Sequence, residues 1–244
     1  MFFRSSAPLR TEADGWFLSE LRGRYDVVLK YVAAHPGCAN GDIRAHVRHV
    51  SDGREEQVGG YLKPLIDKYG MVEKRLPVFA KPNARAGRYY IRDNFLRAWL
   101  SALKSPVAAV SFRPMPALID KADAALAVAE DHALERLVGQ LYEERSRKGL
   151  AGFALSQRIA GYWDSRNTEV DLVAVNEDDR IIRFGSCKRD PGRLPGDIPT
   201  LKRHAARFLT SGRHRRYADW TIEYAAIAPQ LSPEVRVALS EQGV

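Results

Sequence analysis

Cysteine is scarce in this chain: Cys38 and Cys187 are the only two among 244 residues. Two thiols build neither a disulfide framework nor a four-thiolate zinc site. Long apolar runs are missing as well, and none approaches the roughly 18 residues that a membrane span needs. The opening Met1-Phe2-Phe3-Arg4-Ser5 lacks the basic region and apolar core of a secretory signal. These absences predict a soluble cytoplasmic protein with no membrane partner. An acidic excess is also lacking, since 38 Lys and Arg oppose 30 Asp and Glu for a formal charge of +8. A polyanionic partner is therefore expected, DNA first. What the chain does have is 45% hydrophobic residues, enough for a sizeable core.

The basic excess is uneven. Residues 1–105 hold 18 basic and 11 acidic side chains, against 20 and 19 in residues 106–244. The change falls at Lys104-Ser105-Pro106, with Pro114 and Pro116 close behind, which predicts a connector over 105–122. An irregular segment is expected over 1–20 and a first domain over 21–104. Val27, Val28, Tyr31 and Val32 recur at helical spacing, and His35-Pro36-Gly37 ends that helix. Asn40 is an N-cap candidate for a second helix, and residues 54–69 form a third. Extended runs Met71–Phe79 and Gly87–Ile91 follow, then a helix capped by Asp93. Three helices and a hairpin make the order of a winged helix-turn-helix. The hairpin carries Lys74, Arg75, Lys81, Arg85, Arg88 and Arg92 against Glu73, suited to lying along a phosphate backbone. Winged helices also serve as protein-docking modules, and hairpin cations also serve solubility, so both readings stand.

The second half, 123–244, reads helix, three strands, helix, strand, helix: an α/β domain with a mixed sheet. Its long helix is expected over 123–148, with Leu126, Val128, Leu134, Leu137, Val138, Leu141 and Tyr142 as the apolar stripe. Strands are expected at Phe153–Trp163, Glu169–Asn176 and Arg180–Lys188, a basic helix at Asp197–Leu209, and a strand at Trp220–Ala228. Period-two alternation puts Glu169 and Asp171 on one strand face, and Ser186 and Lys188 on one face of the next. Carboxylates hold a hard cation while a lysine orients or deprotonates the attacking water. The plainer alternative is an Asp171–Lys188 pair at a strand end. Residues 180–216 add eleven Lys and Arg against Asp190 and Asp197. Arg203, Arg207 and Arg213 are the candidate nucleic-acid contacts there.

Gly161-Tyr162-Trp163, Glu169-Val170-Asp171-Leu172-Val173-Ala174 and Phe184-Gly185-Ser186-Cys187-Lys188 resemble the C-terminal domain of the archaeal and bacterial DEXX-box ATPases, a domain similar to the PD-(D/E)XK nucleases. Arg88-Tyr89-Tyr90-Ile91-Arg92-Asp93-Asn94-Phe95-Leu96-Arg97-Ala98-Trp99 resembles the segment joining that family's winged helix to this domain. The resemblance spans about residues 20–230 and implies a winged helix-turn-helix followed by a restriction-endonuclease-like mixed-sheet domain, α+β to α/β in class. It places Asp171 at the motif's first acid, Lys188 at its lysine and Glu135 at its helical glutamate, with Asp171 and Glu135 as Mg²⁺ ligands in an active enzyme.

Two departures follow. No G-x-x-x-x-G-K-[ST] occurs in the sequence, so nucleotide hydrolysis is not carried over, and a separately encoded P-loop ATPase becomes a candidate partner. Ser186 stands where the nuclease pattern has an acid, and a neutral hydroxyl is a weak ligand for Mg²⁺. Glu169 and Asp190 have the strand parity to substitute. The expected function is DNA binding with a degenerate, inactive nuclease-like domain. The alternatives are an active Mg²⁺-dependent endonuclease using Asp171, Lys188 and Glu169 or Glu135, and a module that docks on an ATPase.

Overall fold

The structure, a computed structural model, describes residues 25–50 and 58–244 together with Gly15 and Leu21. The irregular segment expected over 1–20 lies, but for Gly15, outside the described residues, as does 54–57 of the third helix. The described residues form a mixed α+β structure with two sheets. It divides into two compact units, one of residues 1–76 and 82–129, the other of 77–81 and 130–244. No helix among the described residues is long and apolar enough to cross a membrane.

In the first unit, α1 (Tyr25–Ala34), α2 (Asn40–Val50) and α3 (Val58–Asp67) accompany a small antiparallel sheet whose first strand lies between α1 and α2 in sequence. Its strands β1 (Cys38–Ala39), β2 (Val72–Arg75) and β3 (Arg88–Ile91) run in the order β1-β3-β2. Leu29, Ile43 and Leu65 are fully buried and come from all three helices. Each such side chain contributes about 1.5–3 kcal/mol by leaving water. Asn40 is the first helical residue of α2 rather than its cap. The Asp42 carboxylate accepts the Ala39 N–H at 2.8 Å, the acidic half of a capping box. Asp93 does cap the next helix, α4 (Asn94–Ala98), by accepting the Leu96 N–H at 2.7 Å. A π-helical turn, Trp99–Leu103, and α5 (Lys104–Ala108) continue it.

The segment expected as a connector, 105–122, is largely helical. α5 reaches Ala108, and α6 (Met115–Arg147) starts well before residue 123. A proline in a first helical turn has no intrahelical donor to lose, so Pro114 and Pro116 open α6 rather than interrupt the chain. Its expected stripe is only partly internal. Val138 is buried, whereas Val128, Leu137 and Leu141 are exposed.

The second unit is a four-stranded sheet in the order β4-β5-β6-β7. β4 (Ala160–Trp163), β5 (Glu169–Asn176) and β6 (Ile181–Cys187) are antiparallel neighbours, and β7 (Thr221–Ile227) pairs parallel with β6. The parallel pair needs a crossover, supplied by α7 (Leu194–Thr210). α7 packs Leu194, Ile198, Ala205 and Phe208 with Val173, Val175, Ile182 and Phe184. Val138, Leu134 and Tyr142 of α6 pack with Leu172 and Cys187. α8 (Pro233–Ser240) closes the unit, with Ser232 as its N-cap and Pro233 at its first turn. β4 is shorter than expected because Phe153 is buried as a loop residue, with the Arg183 guanidinium over its ring.

The run expected as a strand from Met71 to Phe79 is extended only over β2. Pro77 has no N–H to give a ladder, and the chain leaves the sheet there. Val78 joins the second unit's core, donating its N–H to the Gly161 carbonyl at 2.9 Å. Phe79, at φ 62°, stacks on Tyr217 with ring centroids 5.1 Å apart. The expected wing is therefore not a free basic loop: its Pro77–Lys81 stretch, Lys81 included, belongs to the second unit.

Candidate active site

β5 carries an irregularity at the site. Tyr162 pairs with Val170 and Ala160 with Val173, so Asp171 and Leu172 together oppose Gly161. Val170 and Val173, three apart, consequently share one core. Such bulges re-aim a side chain and recur beside active sites. Gly161 permits this one, since a Cβ there would lie 3.1 Å from the Asp171 carbonyl oxygen and 3.2 Å from that of Val170.

Asp171 Oδ2 accepts the Cys187 N–H at 2.9 Å and lies 2.9 Å from Lys188 Nζ. The Lys188 backbone is held in turn by its N–H bond to the Ile227 carbonyl at 2.9 Å. A second carboxylate then arrives from α7. Asp197 Oδ2 lies 3.2 Å from Lys188 Nζ and accepts the Ser186 hydroxyl at 3.3 Å. The first turn of α7 thus places a carboxylate beside the serine that stands at the expected acid position. Lys188 and Asp171 are largely buried, and Asp197 is half-buried. Burial alone would lower the pKa of the Lys188 ammonium. Asp171, and then Asp197, override that effect, and the net shift is upward. Two carboxylates and one ammonium leave a local charge of about −1, an electrostatic fit for a cation.

The other expected ligands lie differently. Glu135 sits 3.7 Å from His132 Nδ1. Its charge acts on Cys187, whose thiol is pushed up to about 12 by burial and then by Glu135 and Asp171. That thiol is neutral at physiological pH, which excludes it as a resting nucleophile. Glu169 is exposed, and its main chain meets α7, with His204 Nδ1 2.7 Å from the Glu169 carbonyl oxygen. Asp190 caps a short 3-10 turn, Pro191–Arg193, by accepting the Gly192 N–H. Among the described residues no three His, Cys, Asp or Glu side chains group into a metal cage. Mg²⁺ does not require one, being held by one or two carboxylates together with substrate phosphates. Asp171 and Asp197 offer hard oxygen donors, and the Oδ2 of each is paired with Lys188 Nζ.

Comparison with known proteins gives a distant archaeal likeness. Over 185 residues the chain is 23% identical to "Uncharacterized protein MJECL04" of Methanocaldococcus jannaschii. The match covers 70% of this chain and 40% of MJECL04, so the chain spans well under half of that relative's length. No protein-family model and no solved structure matches.

The basic residues divide by what they touch. Lys74 and Arg85 in the first unit and Lys81, Arg203 and Arg207 in the second are exposed. Arg75 Nε donates to Glu73 at 2.8 Å, and its guanidinium lies over the Tyr90 ring. Arg88 is half-buried in β3. Arg213 is exposed and donates to the Phe79 carbonyl at 3.3 Å.

Sequence reasoning missed Asp197 and Asp131 as site residues. Asp197 had a signal, being one of two acids in a stretch of eleven bases and the only one at the start of the basic helix. Asp131 lies one helical turn before Glu135, on the same face of α6.

Proposed function

We propose that this chain binds DNA and that its second unit is a nuclease-like domain whose Asp171–Lys188–Asp197 cluster serves divalent-cation-dependent phosphodiester hydrolysis. The observation that carries the reading is the position of Asp197, which brings a carboxylate to Ser186 and Lys188 where the motif itself lacks one. In the first unit, three helices and a small antiparallel sheet, with a short strand between the first two helices and exposed Lys74 and Arg85 at and beyond its second strand, support a winged helix-turn-helix that contacts phosphate. In the second, a helix, three antiparallel strands and a crossover to a parallel strand support the restriction-endonuclease-like fold.

Asp171 and Asp197 would hold the cation. When bound, it would neutralise the two carboxylates and stabilise negative charge developing on the phosphate. Lys188, kept charged by its neighbours, donates hydrogen bonds and offsets phosphate charge rather than removing a proton. The Cys187 N–H and the Ser186 hydroxyl orient the two carboxylates.

Nicking of supercoiled plasmid in Mg²⁺ or Mn²⁺ tests the proposal. Asp171→Asn, Asp197→Asn and Lys188→Ala are each expected to lower the rate by at least about a hundredfold, as for residues aimed at developing charge. Lys188→Arg keeps the charge and is expected to retain part of the activity. Nicking that survives Asp197→Asn would overturn the assignment.

A second reading, a nuclease-like domain kept only for binding, is favoured by one feature: both aspartates are already engaged by Lys188. Salt-sensitive DNA binding without metal-dependent nicking would establish it.

A further inference from the structure

We propose that Asp131, on α6, is the positioning residue that fixes Lys188 opposite Asp197; the inference rests on the nuclease-like reading of that site. Asp131 Oδ1 accepts the N–H of Arg189, the residue next to Lys188, at 2.9 Å. Its Oδ2 lies 3.2 Å from the Arg193 guanidinium. One carboxylate thus ties both ends of the 189–193 segment. Lys188 precedes that segment, and α7 with Asp197 follows it. Inside it, Asp190 fixes the Gly192 N–H at 2.9 Å. On the far side, β7 holds the Lys188 N–H through Ile227. The backbone around Lys188 is therefore pinned by a strand on one side and by a helix carboxylate on the other.

Asp131 acts through the Arg189 backbone N–H and the Arg193 guanidinium, which occupy its two oxygens. Its side chain is 24% exposed, while that of Arg193 is 58% exposed. The neighbouring Glu130–Arg189 ion pair is about half exposed on both sides. Such pairs are screened and contribute little. Asp131 also holds the backbone N–H next to Lys188, and that bond, rather than either ion pair, is the tie that matters. An unpositioned Lys188 would keep its charge and lose its direction, and an error of about 1 Å in a catalytic group costs on the order of a hundredfold in rate.

Asp131→Ala and Asp131→Asn in the full chain test the inference. Asn keeps a carbonyl oxygen for the Arg189 N–H and drops the charge opposite Arg193. Amide hydrogen exchange at Arg189 and the 15N signal of the Lys188 ammonium are measured beside Mg²⁺-dependent plasmid nicking. Asp131→Ala is expected to speed Arg189 exchange about tenfold, to weaken the Lys188 signal, and to lower kcat about tenfold with KM for DNA unchanged. Asp131→Asn is expected to restore most of each. Arg189 exchange and a Lys188 signal identical to the parent in Asp131→Ala would overturn the inference, as would an Asn variant no better than Ala. If Asp131→Ala does not fold, Asp131→Ser, whose hydroxyl is too short to reach Arg189, replaces it with the same criteria. A parent protein that never nicks DNA defeats the nuclease reading alone, while exchange and the ammonium signal still decide the role of Asp131.

Discussion

Gly161 shows how a single missing side chain supports the site. A strand glycine ordinarily costs roughly 0.5–1 kcal/mol relative to alanine, so Gly161→Ala would stabilise the second unit if backbone entropy decided the outcome. Two main-chain carbonyls oppose that gain. The new Cβ would stand 3.1 and 3.2 Å from the oxygens of Asp171 and Val170, and backbone yields less readily than a side-chain tip. The strain is expected to win. Gly161→Ala should lower the melting temperature by about 3 °C, corresponding to roughly 1 kcal/mol. Plasmid nicking should fall further than that stability loss explains, because the displaced backbone carries Asp171. A variant that melts higher than the parent, measured by calorimetry, would mean that the bulge relaxes freely. The identity of Asp171 and Lys188 was legible because strand alternation is local. The bulge beside Asp171 was not, since it exists only in the pairing with β4.

At the scale of elements, the turn after α7 carries a pH dependence. His214 is 6% exposed, stacked on Phe208 at 4.2 Å, with Nδ1 2.9 Å from the Ser211 hydroxyl oxygen. Burial, reinforced by the charges of Arg213 and Arg216, pushes its pKa down to about 4. The unfolded chain, with a histidine near 6.5, takes up a proton that the folded chain refuses between those values. Stability therefore falls as pH drops from about 6.5 toward 4, by about 3 kcal/mol at most for this one group. Urea midpoints measured from pH 7 to 4.5 should fall, and His214→Phe, which keeps the stack, should flatten the profile; an equally steep profile in that variant would exclude His214 as its source. The helices and strands were largely readable from periodicity and caps, as Ser232 in this unit and Asp93 in the first show. Asp197 as a site residue was not, because only the parallel crossover of β6, α7 and β7 turns a residue nine positions after Lys188 back toward it. Val78 and Phe79 misled for the same reason: the charges around them suggest a wing, while their partners Gly161, Phe208 and Tyr217 lie far along the chain.

For the whole molecule, the net charge of +8 conceals a segregation that composition by halves understates. Residues 106–244 are nearly neutral in sum, yet their acids are not spread evenly. Glu130, Asp131, Asp171 and Asp197 gather around Lys188, Arg189 and Arg193, while Arg203 and Arg207 stand exposed along α7. Neutral composition is therefore compatible with a basic surface on the second unit. Each phosphate contact releases condensed counterions, so log K falls against log salt with a slope of about −0.9 per contact for duplex DNA. If the second unit contributes to binding, Arg203→Ala with Arg207→Ala should make the slope shallower by nearly 2 and weaken binding about equally across sequences. Arg75→Ala should leave the slope almost unchanged, because its guanidinium is already bonded to Glu73 and laid over Tyr90. Fluorescence anisotropy titrations from about 50 to 200 mM salt resolve a change of this size. A slope untouched by the double substitution would remove α7 from the DNA path and, with it, the argument that the Asp171–Lys188–Asp197 cluster lies where a phosphodiester arrives.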